Sequence, residues 1–148
     1  MSGIYRQQES GRSMIEIIGV LAIMGLMTVA AFVLIRNGMA TQKRNVVIDD
    51  VSKIMTGVRT LYADYDNLSN LDGAGALAAM GVDENGPYEG SSYSVAKDSS
   101  DNTRFIITIS NLPVRDCTVL AAKKWADSVE KSSDCSSGGG SVSIKYDK

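Results

Sequence analysis

The chain has no histidine and only two cysteines, Cys117 and Cys135, among its 148 residues. A structural zinc site needs about four nitrogen or sulfur ligands, so a Cys/His zinc centre is excluded. Triads that use imidazole as the base are excluded with it. Serine–lysine chemistry survives on composition, but no catalytic motif supports it, and the chain is read as a non-enzyme. The acidic turn Asp83-Glu84-Asn85-Gly86-Pro87 lacks the ligand spacing of an EF-hand and reads as surface turn chemistry. No cofactor and no metal are expected. One carboxylate stands in an unusual place: Glu16, where a long apolar segment begins.

That segment, residues 17–35, reads IIGVLAIMGLMTVAAFVLI, without a charge and with Thr28 as its only polar side chain. As a helix it is about 28 Å long at 1.5 Å per residue, close to the hydrocarbon thickness of a bilayer. A buried core helix of this kind would be hard to cover in a chain with room for one core. A secretory signal peptide has small residues at Gly38-Met39-Ala40. Against it, Arg36 and Asn37 intervene and the run exceeds the usual ~7–15 residues. A retained membrane anchor fits best. The flanking bases are Arg6 and Arg12 before the segment and Arg36, Lys43 and Arg44 after it, a count that slightly disfavours a cytoplasmic N-terminus. With 15 basic and 17 acidic residues, the net charge of −2 argues against a nucleic-acid partner. A carboxylate beside hydrocarbon costs about a few kcal/mol unless it reaches the interface or meets a cation.

The string around Glu16, Ser10-Gly11-Arg12-Ser13-Met14-Ile15-Glu16-Ile17-Ile18-Gly19, resembles the class III signal of type IV pilins and pseudopilins. In that family a short hydrophilic leader ends in glycine, and a glutamate is the fifth residue after it, inside an apolar helix. The resemblance implies removal of residues 1–11 by a prepilin peptidase, between Gly11 and Arg12. Scission would leave a new α-amino cation on Arg12, and an opposite charge nearby stabilises a carboxylate more strongly where water is excluded. The family role carried to Glu16 is pairing with the terminal amine at Arg12 of a neighbouring subunit during assembly. Two departures stand out. Arg12 occupies the place where the family often has an N-methylated phenylalanine or methionine. The proline that kinks many type IVa helices is absent from Ala31-Phe32-Val33-Leu34, so an unkinked helix is expected there.

Beyond residue 35 the pattern becomes amphipathic. Val47, Val51, Ile54, Val58, Leu61 and Tyr65 follow spacings of three and four, and Ile48, Met55 and Tyr62 widen that face. The spacing predicts one nearly continuous helix over residues 12–66, its second half packed on a globular domain. About three heptads are marginal for an independent coiled coil. A short helix at residues 76–80 is expected to end at Gly81. Strands are expected at 91–96 and 104–110 around a polar loop, the second strand central. A helix carrying Val119, Leu120 and a packing Trp125 is expected over 114–127, and a half-exposed final strand at 142–146. The fold class is α+β: a pilin-like arrangement with a long N-terminal helix on a small antiparallel sheet.

Here too the chain resembles type IVb pilins, in which a helix with the first cysteine follows the hairpin and a second cysteine precedes the last strand. If bonded, Cys117 and Cys135 close a loop of about nineteen residues, stabilising by about 3 kcal/mol in the loop-entropy model. That is the expected use of an even pair outside the cytoplasm, and two free buried thiols are the alternative. The expected organisation is a leader at 1–11, a transmembrane and filament-core helix at 12–36, and a periplasmic or extracellular globular domain at 37–148. The resemblance implies a structural pilus subunit, anchored by one pass in the bacterial inner membrane and then assembled with other copies by the pilus machinery into a surface filament. A type II secretion pseudopilin, a minor pilin and a membrane-anchored periplasmic binding module that never assembles are the alternatives.

Overall fold

A computed structural model describes residues 14–148 in full and the helical backbone of residues 9–13. The chain forms two compact units, divided between Met39 and Ala40. Helix α1 runs over Glu9–Leu61 and contributes to both. The second unit adds α2 (Gly73–Ala79), β1 (Ser92–Lys97), β2 (Arg104–Leu112), α3 (Val114–Ala122), β3 (Ser128–Asp134) and β4 (Gly140–Asp147). The four strands make one antiparallel sheet in the order β1-β2-β4-β3. This is the α+β arrangement expected from the sequence, a long N-terminal helix packed on a small antiparallel sheet.

The amphipathic stripe of α1 supplies one side of the core. Val47, Val51, Ile54 and Val58 are fully buried, each worth roughly 1.5–3 kcal/mol relative to exposure. They share one cluster with Phe105, Ile107 and Ile109 of β2 and Val142, Ile144 and Tyr146 of β4. Strand alternation explains the choice: odd positions of β2 and even positions of β4 face the cluster, and the register pairs Ile107 with Ile144 and Phe105 with Tyr146. As expected, β2 is central. Ile48, Met55 and Tyr62 pack half-buried beside the stripe.

Three expectations need correction. Helix α1 stops at Leu61 rather than running to residue 66, and Leu61 and Tyr65 are exposed instead of extending the buried stripe. Leu68 explains the turn: its side chain is fully buried and its N–H donates to the Asn102 carbonyl, which draws the chain off the helix axis. Helix α3 ends at Ala122, not 127, with Lys123 extended. Trp125 is a packing residue as expected, but its indole N–H donates to the Leu120 carbonyl at 3.2 Å, and the Lys131 ammonium donates to the carbonyls of Ala121 and Lys123. Those donors satisfy the open end of the helix. Finally, β3 is a strand that the sequence pattern did not reveal. Every residue after Ser128 is exposed, so no alternation of apolar and polar side chains marks it. Pairing with β4 holds it, and β4 therefore lies inside the sheet.

Candidate functional site

In the first unit, every residue from 14 to 39 is exposed. Among the described residues this helix alone is long and apolar enough to cross a membrane. Among the described residues, and apart from the adjoining backbone of the helix itself, nothing lies within 4 Å of the positions that a Cβ on Gly19, Gly25 or Gly38 would take, so no described side chain requires these glycines. Thr28, the one polar side chain of the apolar run, donates its hydroxyl to the Met24 carbonyl at 2.8 Å. The segment thus presents no unmet side-chain donor to a hydrocarbon environment.

Glu16 lies exposed at the start of this surface and has no ion-pair partner among the described residues. Its expected counterpart, the Gly11–Arg12 processing site, lies outside the residues whose side chains are described, as does the leader at 1–11.

In the second unit, Cys117 and Cys135 form a disulfide with Cα atoms 5.7 Å apart. The bond ties α3 to the residue that follows β3. Gly140, the first residue of β4, lies directly beneath it: a Cβ there would sit 2.6 Å from Cys117 Sγ and 2.7 Å from Cys117 Cβ. Glycine at 140 lets the strand pass under the cross-link. Composition alone marks residues 136–141 only as a loop, and the reason for this particular glycine appears when β4 meets α3.

The bases after the apolar run also acquire roles. Arg44 Nε donates to Asp116 Oδ1 at 2.5 Å, both side chains being largely buried. This pair joins α1 to α3, and the Asp116 hydrogen bond raises the Arg44 pKa. Lys43 lies over the Tyr88 ring, 5.6 Å from its centroid. Burial, and then the Asp116 charge, push the Tyr88 phenol up to about 12, so it stays neutral. Burial likewise raises the Tyr93 phenol, whose hydroxyl donates to Asp50 Oδ2 at 3.1 Å. Two of the three bases that weigh against a cytoplasmic N-terminus are therefore structural parts of the folded domain.

A second buried pair fastens the loop between β1 and β2. Asp98 is 3% exposed and lies 2.9 Å from Lys145 of β4, and its other oxygen accepts from Ser100 N–H and Oγ. The lysine and these donors hold its carboxyl down at about 2. Among the described residues no cluster of acidic or cysteine side chains could hold a metal ion. No protein-family model matches the chain, and no curated protein matches it.

Proposed function

We propose that the chain is a structural subunit of a bacterial type IV pilus of type IVb character. One observation carries this reading: an apolar helical surface left wholly bare over residues 14–35, with a lone carboxylate at its head. Such a surface needs cover, first by lipid and then by the same helices of other copies. The subunit would enter the inner membrane as a prepilin, lose residues 1–11, and be extracted into a helical filament on the cell surface. Glu16 would then meet the new amine of Arg12 on a neighbour. The disulfide-tied second unit would form the outer coat, since its own core is closed and needs no further partner to bury it.

Glu16→Ala tests the reading in cells that carry the processing peptidase and the assembly machinery. The expected result is a processed, membrane-inserted chain that no longer yields filaments. Filaments at the parental yield would refute the role of the carboxylate.

A further inference from the structure

Where α1 ends, the second unit holds a cleft that its core does not use. Tyr62, Tyr65, Asn70 and Asp72 line it, together with small residues of α2 such as Gly75 and Ala79. Its volume of about 380 Å³ is that of a small-molecule site, roughly 300–1,000 Å³. Tyr65 keeps the spacing of the α1 stripe but leaves the core and is 56% exposed. Its ring centroid lies 5.6 Å from that of Tyr62, and the two planes are inclined at 50°. Rings so spaced and tilted admit one cation within about 6 Å of both centroids.

The walls are set by contacts that need no ligand. Tyr65 N–H donates to the Tyr62 carbonyl at 3.2 Å, and the Tyr62 hydroxyl donates to the Asn70 carbonyl at 3.4 Å. Buried Leu68 pins the segment between them. Asp72 begins α2 with its carbonyl, which accepts from Ala76 N–H at 2.8 Å. Its carboxylate lies over Gly75, where a Cβ would come within 2.5 Å of Oδ2, and it makes no cap hydrogen bond. Among the described residues Asp72 is in no ion pair, and neither are Asp64 and Asp66, which flank Tyr65. No lysine or arginine lines the cleft. Lys53 lines the adjoining α1–α2 groove and is engaged by Asp49 at 2.7 Å, and Arg59 is engaged by Asp127. Lys97, on the β1 edge, lines neither hollow.

We propose that this cleft binds a small quaternary ammonium compound, with the cation against the rings of Tyr62 and Tyr65 and the carboxylate of Asp72 opposite. Ring faces attract a cation through their quadrupole, and an unpaired carboxylate adds its full charge. A quaternary ammonium group suits such walls because it holds its water loosely and donates no hydrogen bond. A metal ion or a primary ammonium would need acceptors that two phenol rings do not offer. Gly75 and Ala79 leave room for the remainder of the ligand. The cleft lies wholly within the second unit and needs no second copy, so the proposal stands apart from the filament reading.

The test titrates the full chain, in deuterated non-ionic detergent, with tetramethylammonium and with choline. Saturation of the aromatic ring protons should pass to the N-methyl protons of either probe and reach a plateau with concentration. Tyr65→Ala and Asp72→Asn should each weaken binding by about fivefold. Tyr65→Phe keeps the ring face and should bind like the parent. Tyr65 and Asp72 are both exposed, so these substitutions remove no buried packing. Choline should bind more tightly than phosphocholine, whose phosphate would meet the acids. The reverse order would assign the site to a lipid headgroup and overturn the reading as a free amine. Absence of a plateau, parental affinity in both Tyr65→Ala and Asp72→Asn, or displacement of the probe by equimolar sodium would overturn the site itself.

Discussion

Reducing the Cys117–Cys135 bond should destabilise the second unit locally before it does so globally. The bond closes a loop of about nineteen residues, and its removal returns about 3 kcal/mol of conformational freedom to the unfolded chain in the loop-entropy model. At 1.4 kcal/mol per decade this is roughly a hundredfold in the unfolding equilibrium. The structure also says where the loss falls. Strand β3 buries almost nothing, being exposed from Val129 to Asp134, and is held by its ladder with β4, by the Glu130–Lys145 ion pair, by Ser128 and Lys131 contacts to the segment that ends α3, and by the disulfide just after it. The stripe of α1 and the inner faces of β2 and β4 close their own core without it. Urea unfolding of the full chain in detergent, with and without a reductant, should show the midpoint falling. Hydrogen exchange should show protection in residues 123–139 lost first, while β2 and α1 beyond residue 47 stay protected under native conditions. An unchanged midpoint, or exchange rising equally in β2 and β3, would refute the reasoning.

Gly140→Ala should act through the same cross-link: its methyl would lie 2.6 Å from Cys117 Sγ, so strand or helix must shift, with a loss of about 1–3 kcal/mol and a more easily reduced disulfide, read from urea midpoints and thiol titration. Asp98→Asn should lower stability at neutral pH. Because the folded carboxyl is held at about 2, below its ordinary 3.8, the parent's advantage is complete above about pH 4 and disappears as pH falls towards 2. Urea midpoints measured across that range should therefore converge, and a gap as wide at pH 2 as at pH 7 would contradict the assignment.

Much of the fold was legible because periodicity reports burial. The α1 stripe from Val47 to Val58, the alternation of Phe105, Ile107 and Ile109, and that of Val142, Ile144 and Tyr146 all follow from which face meets the core. The same logic explains the failures. Strand β3 faces no core, so its sequence Ser-Val-Glu-Lys-Ser-Ser-Asp carries no pattern to read. Leu61 and Tyr65 keep the helical spacing, yet the chain leaves the helix to bury Leu68, a choice made by tertiary contact and not by local preference. In the candidate site, the bare apolar helix and the carboxylate at its head were legible from residue type alone. The Arg44–Asp116 pair joins residues 72 positions apart, and Gly140 matters only because α3 crosses above it. Partners so remote in sequence leave no local trace.

The most direct measurement is the N-terminal sequence of the protein recovered from membranes of cells that contain a prepilin peptidase. A first residue of Arg12 is the predicted result, because scission there would supply the amine proposed to pair with Glu16. A chain that still begins at Met1 in such cells would contradict the account and leave a membrane-tethered domain that does not assemble.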